Sequence, residues 1–353
     1  MTENTTPTVP SAESHDAVCP PAASAAPIAG TATPDAQAGH AAGAAAPSPE
    51  PEPAAAQQPF EPLLTTRDWN AEWKELQKAR RHADDATYWD KRSATFGTKD
   101  APNPYVERFL ELARILPGET VFDMGCGTGA LSVPLGQAGH TVVAADFSAG
   151  MLGVLREELD AHGVTSVFPK QMSWEDDWAA CGVGPESADV CVASRSIAVA
   201  DLEEALLRLT DVARRRVCIT LATGSSPRTD ERVLQAIGLQ SVLGRDYLYA
   251  FNILAAEGIR AEVRYIDSTR DDTFASPEDA YEKLAAMIDD SSAVRASDTE
   301  RQRARANLRE WLTANLVPNE SAGAPDRKGI PQLAWRLAEP RTVTWAFLAW
   351  NAR

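Results

Sequence analysis

The sequence predicts an α/β fold, an open and mostly parallel sheet with helices on both faces. Three observations predict it. Residues 121 to 146 read as strand, glycine turn, helix and second strand. Strand-like and helix-like runs then alternate to about residue 221, which is the pattern of βαβ crossovers. A last strand-like run, Arg341 to Trp350, follows a stretch of helical character from 268 to 340.

The chain opens with a different composition. Residues 1–66 hold 12 of the 24 prolines, seven acids and no lysine or arginine. Such a stretch cannot bury enough apolar surface to offset the entropy of ordering it, so a disordered, acidic, Ala/Pro-rich tail is expected. It shows no basic n-region and no apolar run before a cleavage site. No later segment reaches the ~20 uninterrupted apolar residues of a spanning helix, and a soluble, cytoplasmic protein is expected. The net charge is −16, of which −9 falls on residues 67–353 once the seven tail acids are set aside. An acidic body repels phosphate backbones, and no nucleic-acid partner is expected. The five cysteines form no C-x-x-C pair and no ligand spacing with histidine, so no metal site is expected.

The folded part, residues 67–353, should begin with a helix through Trp69, Trp73 and Leu76, capped by Thr66 or Asp68. Tyr88 to Arg92 and Phe96 complete a helical lead-in to residue 104, and Pro104 to Leu116 is a helix before the first strand. Val121, Phe122 and Met124 flank Asp123 in that strand, and Gly125, Gly127 and Gly129 follow at every second position. Ala130 to Ala138 has helical spacing, Gly139 stops it, and Thr141 to Ala145 is a second strand ending in Asp146.

Three glycines allow a sharp turn with positive φ and let a ligand lie against the main chain. Asp146 can accept hydrogen bonds from two neighbouring ribose hydroxyls. Two cofactor classes fit this layout. Gly125-x-Gly127-x-x-Ala130 satisfies a relaxed dinucleotide fingerprint, which would make the chain an NAD(P)-dependent oxidoreductase. Asp123, two residues before the first glycine, instead suits a ligand with a cationic amino-acid end and would sit badly beside a pyrophosphate. The run D-x-G-x-G-x-G from Asp123 to Gly129, continued by Asp146-Phe147-Ser148-x-x-Met151-Leu152, resembles the class I S-adenosyl-L-methionine-dependent methyltransferases. The resemblance covers about residues 85–267 plus the last strand. It implies a Rossmann-like seven-stranded sheet whose last strand is antiparallel, with 105–267 and 341–353 as core; in this chain a helical insertion, 268–340, separates the last two strands and is long enough to be a substrate-shaping cap. It also implies S-adenosyl-L-methionine as cofactor and a lead-in that closes over the site.

Beyond Asp146, a helix from Met151 to about Asp160, capped by Ser148, ends before Gly163, and Val164 to Phe168 is a third strand. Asp189 to Ala193 and Val217 to Leu221 are the fourth and fifth, joined by a helix from Asp201 to Ala213. The loop after strand three holds the adenine in the resembled family. Here Trp174 could stack on a purine while Glu175 or Asp176 accepts from its amine. Ser194-Arg195-Ser196 occupies the tip of strand four, where open α/β sheets bind ligands. No Asn-Pro-Pro-Tyr stands there, which removes support for amino methylation of the adenine or glutamine type.

The resulting expectation is a methyltransferase that acts on a small-molecule acceptor by in-line transfer. The cofactor set is Asp123, Gly125, Cys126, Gly127, Gly129, Asp146, Phe147, Met151, Trp174, Glu175 and Ser194. Arg195 is the residue expected to orient the acceptor, with an ion pair to an acid of the adjacent helix as the structural alternative for it. Asp201, Tyr247, Tyr249 and Asp267 are further candidates over the strand tips, and no general base is named. The alternative from a different class is a non-catalytic module that binds S-adenosylmethionine and regulates a partner.

Overall fold

The computed structural model describes residues 68–80, 86–93, 103–224, 229–241, 244–270, 272–290, 294–326 and 330–352. The expected tail lies outside the described residues, as does Phe96. In chain order the elements are helices α1 (Trp69–Ala79), α2 (Ala86–Ser93) and α3 (Pro104–Ala113), strand β1 (Val121–Met124), α4 (Ser132–Gln137), β2 (Val142–Asp146), α5 (Ala149–His162), β3 (Val167–Gln171), β4 (Ala188–Ser194), α6 (Leu202–Val212), β5 (Ala213–Ala222), α7 (Glu231–Ala236), α8 (Asp246–Ala256), β6 (Glu262–Arg270), β7 (Thr273–Phe274), α9 (Pro277–Asp289), α10 (Asp298–Asn315), β8 (Leu316–Pro318), β9 (Trp335–Leu337) and β10 (Arg341–Asn351).

Seven strands form one sheet in the order β3-β2-β1-β4-β5-β10-β6. The first five are parallel, and β10 runs antiparallel to both β5 and β6. Strand periodicity explains the layering, because successive side chains point to opposite faces. Cys191, Ala193, Val217 and Ile219 join one core with α1, α6 and α8. Val190, Val192 and Cys218 join the other with α3, α4 and α5. Strands buried on both faces read as near-continuous apolar runs, which is why β4 and β5 stand out in the sequence.

Where boundaries differ from the sequence expectation, a local cause is visible. The fourth helix begins at Ser132 and not Ala130, because Pro134 is tolerated only in a first turn and would clash with the carbonyl four residues back. The third begins at Pro104 as expected but ends at Ala113, where Arg114 takes φ 52°, and Pro117 disfavours helix at Leu116. The third strand starts at Val167, since Val164 N–H folds back onto Leu159 O past the left-handed Gly163. Its Pro169 is accommodated because β3 lies at the sheet edge.

The insertion has the expected helical character in α9 and α10 and also holds a three-stranded antiparallel sheet in the order β7-β9-β8. It has its own core, in which Phe274, Leu284, Ile288, Leu308 and Leu337 pack with Val233, Leu234 and Ile237 around α7. The basic cluster Arg214 to Arg216 marks the entry of β5, where each arginine pairs with an acid, respectively Asp189, Glu119 and Glu262.

Two glycines give a matched test of packing. Gly129 has φ +89°, and a Cβ there would lie 2.3 Å from Leu155 Cδ1. Gly153, inside α5, has open space around its Cβ position. We expect Gly129→Ala to cost about 1–3 kcal/mol through overpacking and backbone strain, and Gly153→Ala to add about 0.4–1 kcal/mol. Urea unfolding of the two variants measures both, and equal effects would contradict the packing assignment.

Candidate active site

The glycine loop crosses the carboxyl end of β1. Gly125 and Cys126 N–H both donate to Ala145 O, at 2.8 and 2.9 Å, which folds the loop over the tip of β2. Gly125, Gly127 and Gly129 have φ of +73°, +56° and +89°, in the region that favours glycine. At Gly125 a Cβ would meet Ser196 Cβ at 2.2 Å. Ser196 Oγ in turn donates to Met124 O at 2.7 Å, so the tips of β1 and β4 are held together at this point.

Two buried acids face this loop. Asp146 Oδ2 accepts from Gly127 N–H and Oδ1 from Ser148 N–H, each at 2.9 Å. A carboxylate offers about four acceptor positions, more than these two donors occupy. Burial pushes the Asp146 carboxyl above its ordinary range, against those two backbone donors. Asp123 is 1% exposed and accepts from Ser132 Oγ at 2.6 Å. Burial drives its carboxyl up to about 7, opposed by the Ser132 hydrogen bond and reinforced by the charge of Asp146. A buried carboxylate with no cation against it is an unfavourable group that a cationic ligand would relieve.

These groups open into a cavity of about 950 Å³, near the upper end of the range for ligand sites, ~300–1,000 Å³. Asp123, Gly125, Cys126 and Gly127 line it from the loop; Asp146, Phe147 and Met151 line it from β2 and α5. Trp174, Glu175, Ser194 and Arg195 line it from the ends of β3 and β4. Gly129 is not among the lining residues; its contacts are with Leu155 and Val133, where it lets α5 approach the loop. Of the two acids after β3, Asp176 is used in a turn, accepting from Ser173 N–H at 2.8 Å. Trp174 Nε1 donates to Ser196 O and its ring packs 5.5 Å from that of Trp178. Burial keeps Cys126 a thiol, well above its ordinary range.

The other candidates separate. Asp201 lines the cavity but caps α6 through Glu204 N–H and pairs with Lys74 at 2.6 Å. Tyr247, Tyr249 and Asp267 do not line it. Tyr249 packs on Trp69 and Trp73 and donates to Glu72 at 2.7 Å, Tyr247 meets Tyr265, and Asp267 accepts from Thr344 at 2.6 Å.

Three contributors were not among the expected site residues. Tyr105, 4% exposed, lines the cavity from α3, with its hydroxyl 2.7 Å from Ser194 Oγ and 2.8 Å from Thr220 Oγ1. Asp90 of α2 accepts from Ser148 Oγ at 2.5 Å and Gly150 N–H at 3.0 Å, which pins α2 to the start of α5. Helix α1 supplies Lys74, Gln77 and Lys78 to the lining, and its C-cap residue Arg80 joins them. It is fixed by Trp73 Nε1 donating to Val199 O at 2.7 Å and by Arg80 bridging both carboxylate oxygens of the buried Asp246. Among the described residues, none of the insertion lines the cavity, so the expected capping role does not appear there.

Fold and site together define an open α/β protein that receives a nucleoside-type ligand at its strand tips. A family described as a methyltransferase domain matches residues 121–216. A protein of Haemophilus influenzae described as uncharacterized is 33% identical over 265 residues, covering 74% of this chain and 88% of that one. Malonyl-[acyl-carrier protein] O-methyltransferase of Serratia marcescens is 33% identical over 151 residues, 41% of this chain and 52% of that protein. Magnesium-protoporphyrin O-methyltransferase of Synechocystis is 44% identical over 59 residues, 16% of this chain and 26% of that protein. The alignments thus span about half and about a quarter of those two enzymes. The chain belongs to the class I S-adenosyl-L-methionine-dependent methyltransferases, and S-adenosyl-L-methionine is its cofactor. No helix among the described residues is long and apolar enough to cross a membrane, and no metal-binding cluster is found among them.

The residues present fit that cofactor, since a buried acid that meets no cation among the described residues, an acid at the tip of β2 and a glycine-rich loop all face one cavity. We propose that Asp123 meets the ammonium group of the cofactor and that its raised carboxyl makes binding pH-dependent. Below about 7 it is protonated and loses its attraction for an ammonium group, so affinity falls as pH falls. We expect S-adenosylhomocysteine to bind roughly tenfold more weakly at pH 6 than at pH 8, as one linked proton allows. Asp123→Asn should bind weakly at both. Calorimetry across this range checks it, and an affinity independent of pH would exclude Asp123 as the ammonium partner.

Proposed function

We propose that this protein transfers the methyl group of S-adenosyl-L-methionine to a small-molecule acceptor by in-line displacement. The observation that carries this reading is the single cavity shared by Asp123, Asp146 and the strand-four tip. Asp123 would hold the amino-acid end of the cofactor and Asp146 its ribose hydroxyls. Trp174 and Glu175 would hold the adenine, and Phe147 and Met151 would pack against it. The bound cofactor supplies an activated methyl on a sulfonium, whose charge disappears as the methyl leaves. The chain's own work is then positioning and exclusion of water. The apolar lining from Val106, Leu131, Met172 and Val199 suits that task.

An acidic chain and a concave site favour a small acceptor over nucleic acid. The Serratia and Synechocystis relatives are named O-methyltransferases, which supports an oxygen acceptor here. None of the described histidines lines the cavity, and no residue is assigned as general base.

Parallel titration with S-adenosylmethionine, S-adenosylhomocysteine and NADH tests the reading. Saturable binding of the first two alone is expected, with Asp146→Ala weakening both by on the order of tenfold or more through loss of two charge-assisted hydrogen bonds. Unchanged affinity in that variant would remove the ribose assignment, and binding of NADH alone would overturn the proposal.

A further inference from the structure

The cavity contains cations whose partners differ in kind. Lys74 pairs with Asp201, Lys78 with Glu75 and Arg80 with Asp246. Arg195 lines the same cavity, and among the described residues its side chain meets no carboxylate. Its contacts are with rings: the guanidinium carbon lies 4.3 Å from the centre of Tyr105 and 5.9 Å from that of Trp345. The ion pair that the sequence leaves open for it is therefore not formed.

The surroundings hold this guanidinium in place. Arg195 has φ +59°, a left-handed conformation uncommon outside glycine, at the end of β4. Its N–H donates to Thr220 Oγ1 at 3.0 Å, and Thr220 also meets the Tyr105 hydroxyl, which meets Ser194. The adjacent Ser196 packs on Gly125 of the cofactor loop, so Arg195 stands beside that loop. A guanidinium held by ring faces keeps its in-plane N–H groups free, and they present a fork that matches a carboxylate. Gln77, on the α1 wall of the cavity, has its amide nitrogen buried without a hydrogen-bond partner among the described residues. It is a second donor without an acceptor. The remaining wall is largely apolar, with Trp89, Val106, Leu131 and Val199.

We infer that the methyl acceptor is a carboxylate-bearing molecule with an apolar body, and that Arg195 is the residue that binds its carboxylate. This rests on the methyltransferase reading above. Tyr105 acts as a positioning residue for Arg195.

The test is calorimetric titration of the full chain saturated with S-adenosylhomocysteine. The probes are octanoate, 4-hydroxybenzoate, their primary amides and phenylphosphonate. At least one carboxylate is expected to bind ten times more tightly than its amide. Arg195→Met should reduce that preference to twofold or less while S-adenosylhomocysteine affinity stays within twofold, and Arg195→Lys should recover part of it. Equal binding of acids and amides, no binding of either carboxylate, or an undiminished preference in Arg195→Met overturns the inference. A tenfold preference for phenylphosphonate over both carboxylates overturns the carboxylate assignment. Failure of S-adenosylhomocysteine to bind at all is a distinct result, which overturns the underlying reading and the inference with it.

Discussion

The carboxylate of Asp146 ties the site together. One oxygen accepts from Gly127 in the glycine loop and the other from Ser148 at the start of α5. Three separate pieces of backbone, the strand tip, the loop and a helix N-terminus, are thereby held in one geometry. Ser148 extends the connection, since its hydroxyl accepts from Met151 N–H and donates to Asp90 of α2. The loop can take this shape because its glycines occupy positive φ and because Ser196 fills the space that a Cβ at Gly125 would need.

The walls of the cavity come from elements that contribute unequally to stability. The sheet and its two flanking cores bury β1, β4 and β5 on both faces, so the strand tips are a rigid base. The α1 wall is attached through a few polar contacts, among them the Arg80–Asp246 pair and the Trp73 hydrogen bond, together with packing of Trp73 and Leu76. The insertion closes on its own core. It is a separate packing problem solved beside the sheet, with α7 recruited from the preceding connection.

Asp123 shows how the fold and the chemistry constrain each other. An acid in a buried strand is costly unless something repays its desolvation. Among the described residues Ser132 is the side chain that answers it, and the carboxyl stays pushed up to about 7. A group kept in that condition suits a cationic ligand, and it is the same group that distinguishes this loop from one built around a pyrophosphate.

How much was legible differs by element. The sequence by itself determined the α/β class, the glycine unit with Asp123 and Asp146, and the alternation that produces seven strands. These follow from local conformational limits and from period-two and period-3.6 patterning, which act over a few residues. Short β7, β8 and β9 left no such pattern, because strands of two or three residues are defined only by what they pair with. The tertiary structure alone decided that Tyr105 reaches across to Ser194 and Thr220, that Asp90 meets Ser148, that Trp73 of the lead-in meets Val199, and that among the described residues Arg195 stacks on rings and not on an acid. Each of those contacts joins residues far apart in the chain, where spacing carries no information about who meets whom.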